Sequence, residues 1–364
     1  MTHKHGDTAM RTLGRFFFSL LFFVLFALFA CNSPTEPGFK NPREYAWTID
    51  TLAYPESFQT TMYDIWGSSP NDVYAVGRNA RGFGKMFHFD GSRWKPVGLH
   101  PSEGGIIEGI IDLSSIYGFD ANNIYAVGAR SYQNPTPPPN FLDSSLILHY
   151  NGQTWTEYKV NGGGLLQAVW GIAPNDIWAG GTEGTMFHYD GTQWTKVPIP
   201  NNVWINSIGG LSSNDVYATA YIFGPQGVFT IYLLHWDGNT WGIQDSFVRQ
   251  FGVPEKFGCC EVKVVGGELF TVGVGVFRQS PSGWQSLFSE PTFAFTDISG
   301  ISSTNLFVVG SSGYVYHYNG SDWYLYDQLR DNNVSYQSVW SNNREVFIVG
   351  FVGGGETSVV QRGR

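Results

Sequence analysis

Five of the eight histidines, His88, His149, His188, His235 and His317, share one setting: an aromatic residue follows each, then Asp-Gly or Asn-Gly. Imidazoles could serve as metal ligands or general bases. A metal site needs its ligands to converge within about 2.0–2.1 Å of one ion, however, and one histidine per copy of a repeat keeps them apart. Each is expected instead to hydrogen-bond the backbone or a carboxylate of the strand before it. Asn71-Asp72, Asn175-Asp176 and Asn214-Asp215 could supply acid–base carboxylates. The Asn-Asp step is also turn chemistry, because these side chains bond their own backbone and tolerate left-handed geometry, and it is read as such. Cys259 and Cys260 are adjacent, so they cannot staple distant loops. They are either a vicinal disulfide or two buried thiols, the second being the plainer reading. With three cysteines in the chain, they do not make a thiolate metal set. No catalytic residue, metal or cofactor is assigned.

The elements that must position these residues come from a repeat. DIWGSSPNDVYAVG (from Asp64) with GKMFHFDGSRWKPV recurs as SIYGFDANNIYAVG with LILHYNGQTWTEY, then AVWGIAPNDIWAGG with GTMFHYDGTQWTKV. A fourth copy runs from Ser207, a degenerate fifth from Val262, a sixth from Asp297 and a seventh from Ser338. Each copy holds four short stretches of half-buried strand pattern. Asp90-Gly91 and its equivalents are read as type I′ hairpins joining the third stretch to the fourth. Four strands per unit, repeated roughly every 40–50 residues, mark the blades of a β-propeller. The fourth-strand tryptophans, Trp47, Trp94, Trp155, Trp194, Trp241, Trp284 and Trp323, set the count at seven. Trp47 precedes the first copy, and the last copy lacks a fourth strand. The strand at Trp47 is therefore expected to complete the last blade and close the ring, leaving no free edge. The expectation is an all-β, seven-bladed propeller over residues 45–364, a monomer.

The His-Tyr-Asp-Gly-x-x-Trp unit (His188 to Trp194) after Gly180-Gly181 resembles kelch and galactose-oxidase-like repeats, although most copies lack the double glycine. The whole repeat is similar to a group of secreted bacterial propellers. The repeated histidines resemble the His networks of WD-repeat blades. Asp-Gly-x-x-Trp is similar to the Asp-box of sialidase-type propellers, but one residue out of register. A sialidase-like enzyme would need an arginine cluster; Arg78 and Arg130 follow the second strand in consecutive copies, and no third matching arginine appears. A galactose-oxidase-like copper site would need converging His, Tyr and Cys ligands, and none assembles. Glycan chemistry of either kind stays an alternative to a binding or scaffold role.

Composition and the N-terminus bound the partners. A net charge of −9 disfavours nucleic acid, whose phosphates demand a basic face. Lys4, Arg11 and Arg15 precede the apolar run Phe16–Ala30, too short for the roughly 20 residues of a spanning helix. The run ends Leu28-Phe29-Ala30-Cys31, which resembles a bacterial lipobox. The resemblance implies a signal peptide over 1–30, lipidation at Cys31 and a membrane tie through that lipid. Asn32 after the cysteine favours an outer-membrane or surface destination, with the periplasmic leaflet open. Residues 31–44 read as a flexible tether.

The connections vary on one face only. Turns between first and second strands, and between third and fourth, are short. Those from fourth to first and from second to third vary, and in a propeller they share a face, where repeat scaffolds bind. Tyr132 in a proline-rich loop, Tyr221, Phe223, Phe251 and Phe257 fall there, with Glu103, Glu108, Asp143, Glu255, Arg78 and Arg130. Aromatics beside carboxylates suit a glycan or a protein segment.

Overall fold

The computed structural model describes residues 40–54, 57–81, 85–250, 252–289 and 294–364. Residues Asn41–Arg364 form one compact unit. The expected signal peptide over 1–30, Cys31, the part of the expected tether up to residue 39 and Phe251 lie outside the described residues.

Among these residues there are seven four-stranded antiparallel sheets. Their innermost strands are Thr60–Ser69, Ile110–Asp120, Leu166–Ala173, Trp204–Ser212, Glu261–Val265, Phe295–Ser302 and Val334–Ser341. Each packs on the next, and the seventh returns to the first, so the ring is closed. The chain is a seven-bladed β-propeller, with strands A to D of each blade running outward from the axis.

Closure follows the expected route. The strand Trp47–Leu52 pairs with Thr357–Gly363 as the fourth strand of blade 7, from Trp47↔Gly363 to Leu52↔Ser358. Leu52 is buried between blades 7 and 1. The clasp begins earlier than the Tyr45 boundary. Arg43 Nη1 lies 3.0 Å from Asp322 Oδ2, and Tyr326 Oη donates to the Pro42 carbonyl at 2.9 Å.

The D-strand tryptophans glue each blade to the one before. Trp155 meets Tyr74 edge-on, Trp241 meets Trp178, and Trp47 meets Tyr326. The histidines take the structural role: Nε2 of His88, His188 and His235 lies 2.7–2.8 Å from Asp72, Asp176 and Asp215 Oδ1, and each imidazole stacks on the aromatic of strand B. His149 has Asn123 in place of the aspartate, and that amide is bonded to Asp120 instead. His149 is half-buried with its Nε2 lacking this partner, and that burial holds it below the ordinary histidine pKa.

The C–D turns differ from the type I′ expectation. Asp90 N–H donates to the Arg93 carbonyl, so Gly91 and Ser92 are the central pair, and only the glycine has positive φ (89°). A type I′ turn needs positive φ at both central residues, so this is not one. The Asp90 carboxylate accepts the N–H groups of both Ser92 and Arg93 at 3.0 Å, which holds the aspartate at the corner. A side chain at Gly91 would also strike Asn71 of the A–B turn.

Candidate functional site: the variable face and the central channel

The insertions of blades 2 and 4 are extended hairpins rather than loops. Strand B of blade 2 runs on to Gln133 and strand C starts at Phe141, with Tyr132 paired to Leu142. Tyr132 therefore stands on a strand, and only residues 134–140 form the proline-rich loop. Blade 4 does the same, pairing Tyr221 with Ile231 and Phe223 with Phe229. These hairpins carry apolar side chains that stand exposed among the described residues: Tyr132 is 42% exposed, Phe141 50%, Leu142 48% and Phe223 52%. Tyr221 is half-buried, packed between Trp204 and Phe223 at ring centroids of 5.7 and 5.2 Å.

The other expected site residues divide by what they touch. Glu108 and Asp143 are exposed. Arg78 is exposed, its guanidinium 5.7 Å from the Tyr63 ring. Glu103 accepts from Tyr54 Oη and fastens a loop. Arg130 is buried: it pairs with Glu157 on strand D and donates to Tyr132 Oη at 2.6 Å. Arg78 and Arg130 thus do not point into a shared pocket. Phe257 is fully buried, edge-on to Phe247, and Glu255 is buried beside it in sequence. Both anchor the connection from blade 4 to blade 5 and are unavailable to a surface ligand.

A central channel with a cavity of about 530 Å³ runs between the inner strands. Six of those strands carry a β-bulge at the same place. A bulge leaves one residue unpaired and re-aims its side chain. Here the unpaired residues are Tyr63, Ser114, Gln167, Asn206, Thr296 and Gln337, and all six line the channel. One step further along, seven equivalent positions read Asp64, Ser115, Ala168, Ser207, Glu261, Asp297 and Ser338. Asp64 accepts the Ile116 N–H of the next blade at 2.8 Å, Ser207 that of Val262 at 3.2 Å and Asp297 that of Val339 at 2.8 Å. Ser338 Oγ lies within 2.8 Å of both Asp297 and Asp64, and Lys263 Nζ lies 2.7 Å from Asp297 Oδ1. The network runs from blade 5 through 6, 7 and 1 to blade 2.

These charges perturb one another. Burial, then the charge of Asp297, raises the pKa of Asp64. The same two causes push Glu261 well above the usual carboxylate range. Burial alone would lower Lys263, but Asp297 and Glu261 outweigh it and hold the ammonium charged. No group of three or more His, Cys, Asp or Glu among the described residues is placed to hold a metal ion. Nor is the Ser68–Asp72–His88 chain arranged for nucleophilic attack, since Ser68 donates to Asp72 rather than to the imidazole. Sequence reasoning missed the channel. Its one signal was a carboxylate three residues before the glycine in DIWG and DISG.

No family model matches the chain, and no curated protein matches it either. Solved structures do. "YCF48 bound to D1 peptide" is 14% identical with a TM-score of 0.58, covering 89% of this chain and 97% of that one. The WD40 β-propeller domain of Doa1 is 12% identical, with a TM-score of 0.57 over 88% and 97%. The fold is that of a WD40-like β-propeller. YCF48 from Cyanidioschyzon merolae has the same fold at 12% identity, TM-score 0.53, over 86% and 98%.

Proposed function

We propose that the protein is a lipid-anchored binding propeller of the bacterial surface or periplasm, whose variable face takes a segment of a partner protein. The observation that carries this reading is the pair of raised hairpins. Blades 2 and 4 hold Tyr132, Phe141, Leu142 and Phe223 out of the core on the face where the variable connections lie. Exposed aromatics on a rigid strand pair lose little entropy on binding and serve as contact anchors. A propeller of like fold has been solved with a peptide bound, which supports a protein partner over a glycan. The lipobox-like Leu28-Phe29-Ala30-Cys31 supports the anchor.

The test is a pull-down from the cell envelope followed by a binding curve for the recovered partner. Phe141→Ala is expected to weaken binding by about 1–2 kcal/mol while shifting stability by no more than about 0.5 kcal/mol. Binding that instead tracks Asn175→Ala in the A–B turn would place the functional face opposite. Binding to a glycan array with no protein partner would favour a carbohydrate ligand. For the anchor, Cys31→Ser is expected to move the protein from the membrane fraction to the soluble one. Unchanged partition and mass would refute lipidation there.

A further inference from the structure

Blade 5 departs from the repeat where its inner strand begins, and there the two cysteines sit. Both are free thiols, with Sγ atoms 3.1 Å apart. Cys260 lines the central channel, whereas Cys259 is 2% exposed and lies behind it. The backbone of the pair is held on both sides. Asn206 Nδ2 donates to the Cys259 carbonyl at 3.0 Å, Thr219 Oγ1 to the Cys260 carbonyl at 3.1 Å, and Cys260 N–H to the Val272 carbonyl at 2.8 Å. Near Cys259 stands the buried Glu255 carboxylate, whose Oε2 accepts the Val274 N–H at 3.0 Å. Arg249 Nε lies 3.3 Å from the same carboxylate.

We propose that Cys259 and Cys260 form a reversible two-electron thiol–disulfide site, oxidised by a small hydroperoxide that reaches Cys260 through the central channel. The Cys260 thiolate attacks one peroxide oxygen. The O–O bond breaks, Cys260 becomes a sulfenic acid, and the alkoxide or hydroxide leaves with a proton as alcohol or water. Cys259, its proton passing to Glu255 and then to the leaving oxygen, attacks Cys260 Sγ. The sulfenic oxygen departs as water and the vicinal disulfide closes. Two thiols and one hydroperoxide thus yield one disulfide, one alcohol (or water) and one water. An external dithiol reverses the step.

The division of labour follows from position. Only the sulfur on the channel side can meet a solute, and only the one behind it is close enough to resolve the sulfenic acid before further oxidation. The hydrogen bond from Cys259 to Cys260 favours the thiolate on Cys260, lowering that thiol, while the Cys260 charge and burial raise Cys259 well above the ordinary range. The thiolate is the reactive form. Sulfenic acid with a neighbouring thiol condenses to a disulfide.

The experiment treats the full-length native protein with hydrogen peroxide, alkylates it, and maps the tryptic peptide Phe257–Lys263. In the wild type this peptide is expected to lose both alkylation sites, to run two hydrogens lighter than the reduced form, and to recover on adding dithiothreitol. Cys259→Ser should give a dimedone-trapped sulfenic acid at Cys260. Cys260→Ser should give none at Cys259, melting curves confirming that both variants are folded. The proposal is overturned if both wild-type thiols stay alkylatable, if they pass to sulfinic acid, or if dimedone marks Cys259 instead. The wild-type result decides even where a variant fails to fold.

Discussion

Deleting residues 41–52 is expected to leave no folded monomer. The deletion removes the fourth strand of blade 7 and bares the whole edge of Thr357–Gly363, with all six of its paired positions. It also removes Tyr45 and Leu52, both buried, and Trp47, packed on Tyr326. At about 1.5–3 kcal/mol per buried side chain, these three alone rival the about 5–15 kcal/mol of net stability typical of a folded domain. The exposed edge is then a template for pairing with other chains. Size-exclusion chromatography and a thermal melt by circular dichroism would check this. A truncated chain that elutes as a monomer and melts within a few degrees of the full one would show that the clasp does not hold the ring.

Asp297→Ala should cost nearly as much from a single side chain. Asp297 is buried, and it accepts from Lys263 of blade 5 and from Ser338 and Val339 N–H of blade 7. Removing it leaves an ammonium and a backbone N–H without their partner inside the ring. Breaking a buried pair in this way typically costs about 3–5 kcal/mol. Asp297→Asn keeps an acceptor for Val339 and loses the charge, so it should fall between Ala and the wild type. Urea unfolding of the three proteins would rank them. If alanine proves as stable as the parent, the channel network adds nothing to cohesion between blades.

The ring was legible because its signal repeats. Seven tryptophans and seven strand sets, offset by one strand, imply closure through Trp47, and the pairing of Trp47 with Gly363 is that closure. The histidines were legible for the same reason. What did not repeat was misjudged or missed. Phe257 and Glu255 belong to the degenerate fifth blade, where no pattern marks which side chains turn inward, and both are buried. Arg130 stands one residue further along strand B than Arg78, at the position of Asn79, and Glu157 two strands away draws it into the blade, a contact no local pattern encodes. The channel depends on bulges, and a bulge is a change of register between strands rather than a residue type. Tyr132 was placed in a loop because Pro and Asn follow it, although the strand persists for another residue.

The clasp also fixes how the molecule bears a pull. Tension arriving along residue 40 does not reach the Trp47–Leu52 strand first. It loads Arg43 against Asp322 and Pro42 against Tyr326, both on blade 6, and then the paired Ala46 and Arg364 backbones. Beyond these, the strand would peel one rung at a time from Trp47 rather than shear along its length. A hand-hold on the neighbouring blade therefore shields the seam, and mechanical strength at this end rests on a few polar contacts outside the sheet.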